Sequence, residues 1–394
     1  MQVNIISEEC REKRGYEGAA VELPATRYEM EDALQRANVL KGGSYQLNRF
    51  LKWPDFLQEY LACSGAKTLA EVNLLAKKVS RMEKSQLETY EGALQLRRDE
   101  NIDTPVSMKE LINYAYNLDV FEFHPGVVED YDLGEIAMMG GMFDTVDDLP
   151  EEVADLLDAR KVGEAMRRAD QGAFTRSGYI FRGSADWQEV YDGVHLPEPL
   201  EEHALVSLRL ESASSTAGEN SGVWLELPAG EQAVQRVLDS LGETSLEDCV
   251  IAEAKGILPS FKYQITAYEE IGRLNMLAER LAAFPDGRAL MKYKAVLELE
   301  CFPDLDRMLD ITQNLDCYDY DPMIRTNADY AEYLLQEAGF DTGDPAFDRF
   351  DFAGYGERRL EASGFCCTQY GPVGRNDRPF VQEYTKQQSG MVMQ

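Results

Sequence analysis

Histidine is nearly absent: His124, His195 and His203 are the only three in 394 residues. No H-E-x-x-H, P-loop, G-x-S-x-G or G-x-G-x-x-G pattern occurs, which removes the usual sequence signs of zinc hydrolysis, nucleotide binding and serine acylation. The pairs Gly42-Gly43 and Gly140-Gly141 read as turns rather than phosphate cradles. The seven cysteines (10, 63, 249, 301, 317, 366 and 367) are odd in number and form no C-x-x-C. Neighbouring Cys366 and Cys367 are poorly placed for a disulfide, so the cysteines read as buried free thiols of a reducing compartment. No apolar run approaches the roughly 20 residues that span a bilayer, and the first residues lack a charged-then-apolar targeting layout. These absences predict a cytoplasmic protein that is not an enzyme and uses no metal and no cofactor.

Basic residues are also scarce. Lys and Arg number 39 against 71 Asp and Glu, a formal net charge of -32, while 44% of residues are hydrophobic. That apolar share supports packed cores, and the length fits two to four domains. The field of such a chain repels nucleic acid and anionic membranes and attracts basic clefts. Composition alone is equally compatible with charge kept for solubility.

The sequence repeats itself at a spacing near 200 residues, a property to seek before reading individual elements. Val21-Glu22-Leu23-Pro24 returns as Leu225-Glu226-Leu227-Pro228, and Val72-Asn73-Leu74-Leu75-Ala76 as Leu274-Asn275-Met276-Leu277-Ala278. Asn117-Leu118-Asp119 returns as Asn314-Leu315-Asp316, Gly141-Met142-Phe143-Asp144 as Ala338-Gly339-Phe340-Asp341, and Gly163-Glu164 as Gly356-Glu357. Order is kept throughout. Each half reads as strand, Gly-containing loop, strand, helix and a third extended run. A helical middle and a second sheet-plus-helix part follow. Thr68 and Thr266 are the expected caps of the first middle helices, with Leu69, Val72, Ala76, Val79 and Met82 as one apolar face. The expected class is α+β, elongated and multi-domain. In the first half a small α+β domain covers 1–66, a helical domain 67–117 and an acidic α+β domain 118–185. A Pro/Glu-rich linker follows at 186–202. The second half has a small α+β domain at 203–266, a helical domain at 267–314, an acidic α+β domain at 315–375 and a polar tail at 376–394.

Charge is not spread evenly. Residues 1–100 hold 16 acids and 15 bases, whereas residues 101–158 hold 15 acids and the single base Lys109. Residues 298–348 hold 14 acids and few bases, and 198–253 hold 12 against two. In the first half the candidate binding acids are Asp119, Glu122, Glu129, Asp130, Asp132, Glu135, Asp144, Asp147, Asp148, Glu151, Glu152, Asp155 and Asp158. In the second they are Asp316, Asp319, Asp321, Asp329, Glu332, Glu337, Asp341, Asp344 and Asp348. Helical spacings such as Glu151/Asp155/Asp158 put like charges on one face at a cost of a few tenths of a kcal/mol each. Duplex DNA carries about one charge per 1.7 Å of axis, so a carboxylate-studded surface can offer the same field to a Lys/Arg-lined groove. Tyr131, Phe143, Tyr318, Tyr320 and Tyr330 near these acids read as packing residues. Asp144, Asp147 and Asp148 lack the spacing of a calcium loop and read as a solvated acidic turn. His124 aligns with Asp321 in the second half, so it is not a shared ligand or base and reads as a surface or turn residue.

The motifs Trp224-Leu225-Glu226-Leu227-Pro228, Leu274-Asn275-Met276-Leu277-Ala278 and Asn314-Leu315-Asp316-Cys317-Tyr318 resemble those of the ArdA antirestriction proteins. So do Asn73-Leu74-Leu75-Ala76, Asn117-Leu118-Asp119, Tyr131-Asp132-Leu133-Gly134 and Phe174-Thr175-Arg176-Ser177-Gly178-Tyr179-Ile180 in the first half. The resemblance implies a DNA mimic of conjugative elements and phages that occupies the DNA groove of type I restriction–modification enzymes in a bacterial host. Familiar members are about half this length, so the chain is expected to be a covalent pseudo-dimer, with a further homodimer left open. It would bind a protein partner with a basic groove, neither nucleic acid directly nor a membrane. The alternatives are mimicry aimed at another defence protein such as a CRISPR effector, a carboxylate hydrolase, and an acidic scaffold of a mobile element. A pocket holding two carboxylates with split pKa values would mark the hydrolase.

Overall fold

The computed structural model describes residues 1–140, 157–197, 204–214, 222–258 and 265–385. Contacts divide the chain into two compact units. One comprises Met1–Val3, Glu22–Pro24 and Leu47–Pro199; the other comprises Asn4–Val21, Ala25–Gln46 and Leu200–Gln394. Most of the N-terminal 46 residues therefore belong to the unit that contains the second half of the sequence.

The fold is α+β, with small three-stranded sheets and helices that cover them. Strands β1 (Gln2–Ser7), β2 (Ala19–Glu22) and β3 (Tyr45–Leu51) form a sheet in the order β2-β1-β3. Helices α1 (Arg27–Arg36) and α2 (Asp55–Cys63) belong to the same stretch of sequence. Thr26 and Glu29 cap α1 reciprocally, which satisfies two otherwise orphaned backbone N–H groups. Strands β7 (Val206–Ser212), β8 (Val223–Leu227) and β9 (Cys249–Gly256) repeat this order as β8-β7-β9, both pairings antiparallel. Val206, Leu208 and Leu210 share one face of β7 and pack in the core with Leu225, Leu227 and Ile251, while Ser207 on the other face is buried against the Tyr28 hydroxyl at 3.1 Å. The Leu23-Pro24 and Leu227-Pro228 peptide bonds are both cis.

Each half then has three helices: α3 (Leu69–Val79), α4 (Lys84–Glu100) and α5 (Met108–Tyr116) in the first, α9 (Ile271–Ala282), α10 (Gly287–Leu299) and α11 (Leu305–Gln313) in the second; α8 (Glu231–Leu241) precedes the latter on the β7–β9 sheet. Thr68 caps α3 as its sequence indicates, and Leu69, Val72, Ala76 and Val79 are buried, but the helix ends at Val79 and leaves Met82 in the turn beyond. Thr266 does not cap α9. The helix starts at Ile271 with Glu270 at its N-cap, and Thr266 instead closes a single turn by accepting the Glu269 N–H on its carbonyl. In the first helical core the buried Tyr90 hydroxyl donates to the Leu111 carbonyl at 2.8 Å. In the second, Tyr293 donates to Met308 at 3.0 Å.

The last part of each half is a sheet with a helix pair. Strands β4 (Phe121–Pro125), β5 (Ala173–Phe174) and β6 (Gly178–Arg182) run in the order β4-β6-β5, and β10 (Tyr318–Tyr320), β11 (Phe365–Thr368) and β12 (Gly371–Arg375) in the order β10-β12-β11, all antiparallel. Helices α6 (Asp130–Gly140) and α7 (Ala159–Asp170) pack together, as do α12 (Asn327–Glu337) and α13 (Phe352–Ala362). Their closeness depends on glycine. A Cβ on Gly163 would overlap the Asp130 carbonyl, and one on Gly356 would overlap the Asn327 carbonyl. Thr175 donates to the Gly178 carbonyl at 2.9 Å and Thr368 to that of Gly371 at 2.6 Å, closing the same turn in both.

The chain after each last strand folds back on its helices. Asn117 makes reciprocal bonds with the backbone of Gln188, accepting at 2.8 Å and donating at 2.7 Å. Asn314 does the same with Val381, at 2.8 and 2.9 Å. Glu383, Tyr384 and Thr385 then donate backbone N–H groups to Asp310. The C-terminal residues through 385 are thus docked rather than frayed. The cue is not composition but two buried side chains, Asp310 and Asn314, that need backbone partners. The cysteines are all free, yet only Cys10, Cys249 and Cys317 are buried. Cys63, Cys301 and Cys366 are exposed, because they sit at helix and strand ends rather than on inward faces.

Candidate partner-binding surface

In residues 119–158 the described acids fall into two groups. Asp119, Glu122 and Asp158 are exposed. Asp158 also caps α7 by accepting the Arg160 N–H at 3.0 Å. The α6 start gathers Glu129, Asp130 and Asp132, where carboxylates meet the positive end of the helix dipole. Asp132 accepts the Val128 N–H at 3.2 Å. Asp130 is gripped by two N–H groups of Arg167, at 2.8 and 3.1 Å, and Glu129 lies 3.4 Å from Arg160. Glu135 bonds the Tyr131 hydroxyl and raises its pKa. Asp144, Asp147, Asp148, Glu151, Glu152 and Asp155, with Phe143, lie outside the described residues.

The second set divides more sharply. Asp316, Asp319 and Asp321 are exposed along β10 and its flanks, with Asp316 paired to Arg378 at 3.0 Å. Glu337, Asp341, Asp344 and Asp348 are exposed on the end of α12 and the connection to α13. Asp341 and Asp344 are pinned by the backbone N–H groups of Gly343 and Ala346, at 3.0 and 2.8 Å. Asp329 and Glu332 face elsewhere: Asp329 is buried beside Lys13 at 3.5 Å, and Glu332 accepts from Arg14 at 2.7 Å. Burial raises the Asp329 pKa despite Lys13 and the Arg325 backbone N–H. These two acids hold the N-terminal segment rather than presenting charge to solvent. Asp351, also exposed, caps α13 through the Gly354 N–H at 2.9 Å. A charge count stopped at 348 passes over it.

Of the aromatic residues near these acids, Tyr318 is buried and Tyr320 and Tyr330 are half-buried, whereas Tyr131 is exposed. His124 lies in strand β4, not in a turn, with its ring stacked on Phe181 at 5.8 Å. Its strand position follows from the alternation of Phe121, Phe123 and Pro125 around it. His195 is exposed against Asp192 at 2.7 Å, an interaction that holds the Asp192 carboxyl well below the usual range. Among the described residues no three His, Cys, Asp or Glu side chains gather as metal ligands, and no helix is long and apolar enough to cross a membrane.

One cavity, about 360 Å³, brings together Asp32, Arg36, Lys294, Glu298, Gln369 and Tyr370. It holds the split carboxyls expected of a hydrolase. Burial opposes ionisation of Asp32, but Lys294, Tyr370 and Arg36 outweigh it and lower its pKa. Burial raises that of Glu298. Asp32, however, is fully engaged: one oxygen accepts from Lys294 at 2.8 Å and Tyr370 at 2.7 Å, the other from Arg36 at 2.9 Å. A carboxylate tied to three donors is a structural hub and joins the N-terminal segment to α10 and the β11–β12 turn.

No curated protein matches the chain. Residues 212–371 match the antirestriction protein family ArdA, a stretch that runs from the end of β7 to the start of β12 and contains all of the exposed acids of the second set. Over that stretch, less than half of the chain, the sequence is similar to the ArdA antirestriction proteins.

Proposed function

We propose that the chain is a non-catalytic decoy that occupies the DNA-binding groove of a type I restriction–modification enzyme and so protects incoming DNA of a conjugative element or phage. The observation that carries this reading is the coincidence of the ArdA match with the exposed carboxylates Asp319, Asp321, Glu337, Asp341, Asp344 and Asp348, beside Asp316, which Arg378 partly compensates. Exposed carboxylates present to a basic groove the field that phosphates present. In the first half, Asp119, Glu122 and Asp158 play the same part, with Asp144, Asp147, Asp148, Glu151, Glu152 and Asp155. Asp130, Asp329 and Glu332 contribute less, because Arg167, Lys13 and Arg14 compensate them.

The proposal extends to the architecture: the chain is two ArdA-like units fused as a covalent pseudo-dimer. The paired tyrosines 90 and 293, the paired asparagines 117 and 314 and the paired glycines 163 and 356 support a duplication, since each holds the same kind of contact in its own half. Fusion makes engagement of the second unit intramolecular and raises its effective concentration.

The test is competition between the chain and duplex DNA for a purified type I enzyme at two salt concentrations. Displacement of DNA that weakens steeply as salt rises is the expected result. Absence of displacement at low salt, or displacement indifferent to salt, overturns the reading.

A further inference from the structure

The connection from α12 to α13 contains three Phe-Asp pairs in close succession: Phe340-Asp341, Phe347-Asp348 and Phe350-Asp351. Residues 333–351 hold five acids, Glu337, Asp341, Asp344, Asp348 and Asp351, and one base, Arg349. The rings are not dispersed. Phe347 lies edge-on to both Phe340 and Phe350, with centroids 6.4 and 5.6 Å apart, and Phe350 packs on Phe352 at 4.9 Å and Tyr355 at 5.5 Å. They form one contiguous cluster with part of its edge in solvent: Phe340 is 55% exposed and Phe350 36%. A contiguous exposed aromatic patch rimmed by polar residues is the kind of surface that marks a contact site.

The chemistry of the strip selects its occupant. Lysine is drawn to a carboxylate as a compact, strongly hydrated point charge. Arginine can bond the carboxylate with its planar fork and at the same time lay its face on the neighbouring ring. A strip in which an Asp follows a clustered Phe three times in the sequence offers rings and carboxylates together, a combination matched to guanidinium groups arrayed along a groove. The carboxylates are prepositioned: Asp341 and Asp351 are held by backbone N–H groups at 3.0 and 2.9 Å. We infer that this Phe-Asp strip is a docking surface for an arginine-lined face of the partner, in which the rings stand where bases would and the carboxylates where phosphates would. The inference rests on the decoy reading above and deepens it by naming arginine as the group engaged.

Two measurements on the full-length chain test it. The first repeats the DNA-competition assay with F340A/F350A and with F340L/F350L, the leucine pair keeping apolar bulk while removing the rings. Expected is a loss of about tenfold in competing power in both variants at either salt concentration, with the salt dependence unchanged because every charge remains. Competition equal to that of the parent chain overturns the inference while leaving the decoy reading intact. The second titrates an oligo-arginine and an oligo-lysine peptide of equal length, which decides the matter even if the chain displaces no DNA. A preference for the arginine peptide of several-fold that disappears in F340L/F350L supports the strip. Equal affinity for both peptides overturns it, as does a preference that survives in the leucine variant. Sedimentation supplies the remaining arm: dissociation of an oligomer in F340L/F350L would assign the strip to a second copy of the chain and overturn the inference.

Discussion

The two helical cores carry one hydrogen-bond scheme and differ in what stands beside it. Tyr90 and Tyr293 each donate to a backbone carbonyl of a neighbouring helix. The next residue is a half-buried Glu91 in the first core and Lys294, 2% exposed, in the second. Lys294 is where Asp32 of the N-terminal segment is received. One change of charge at one helical position therefore gives the second core a socket that the first lacks, and it ties Asp32, within residues 25–46, to the unit that holds the ArdA-like stretch. Conserving the frame while varying the residue beside the tyrosine is a low-cost way to give two like halves different neighbours.

The largest expected effect breaks that socket. Lys294→Met leaves Asp32 buried with less compensation, and removing one partner of a buried pair costs about 3–5 kcal/mol. Urea unfolding of the full chain measures it, and Asp32→Leu combined with Lys294→Met is expected to recover much of the loss. Glu91→Gln in the first core is expected to stay within about 0.5 kcal/mol. Equal losses at the two positions would show that the cores do not differ in the way described.

The helix pairs of the two C-terminal parts supply the next test. Gly163→Ala and Gly356→Ala each push a Cβ into a backbone carbonyl of the facing helix, and overpacking of this kind costs about 3 kcal/mol. Similar losses of stability are expected in the two variants. A tolerated Gly356→Ala would mean that α12 and α13 can separate where α6 and α7 cannot, and the likeness between the halves would fail there.

Much of this architecture was legible in the sequence. The cap at Thr68, the strand at Cys249 and the helix at Glu231–Leu241 follow from local spacing, which a single stretch of sequence contains. What was not legible depends on partners far along the chain. Asp329 and Glu332 count as negative charge in any window, yet Lys13 and Arg14 meet them across more than 300 residues. Asp32 gives no sign in its own helix of the Lys294 and Tyr370 that enclose it. The candidate surface was correspondingly legible as a region and not residue by residue, because charge counts carry no information about compensation.

A smaller effect is expected where the halves agree most. Asn117→Ala and Asn314→Ala each remove a reciprocal pair of backbone bonds, to Gln188 and Val381 respectively. Two hydrogen bonds lost at buried sites amount to about 2 kcal/mol. Equal losses by chemical unfolding would sharpen the equivalence, whereas a marked inequality would confine it to geometry.

The smallest effect separates the two docks by pH. Position 113 is asparagine in the first half, accepting from the backbone of Val190 and Tyr191 at 2.8 and 2.9 Å. Its counterpart is Asp310, 0% exposed, which accepts from Glu383, Tyr384 and Thr385. Burial opposes ionisation of Asp310, but the Thr385 hydroxyl and the three backbone N–H groups outweigh it, so its pKa lies below the ordinary carboxyl value. A carboxyl with a depressed folded-state pKa contributes stability that is complete above its unfolded value and is lost as pH falls through the folded one. Below about pH 4, the amide protons of Glu383, Tyr384 and Thr385 should therefore lose protection from hydrogen exchange, after correction for the intrinsic rate. Those of Val190 and Tyr191 should keep theirs, because Asn113 does not titrate. Asp310→Asn should remove the pH dependence from the second dock and make it behave as the first. If the C-terminal amides keep their protection at a pH where Asp310 is shown to be protonated in the folded chain, the Asp310 charge is not what secures the segment, and the two docks are equivalent in energy as well as in form.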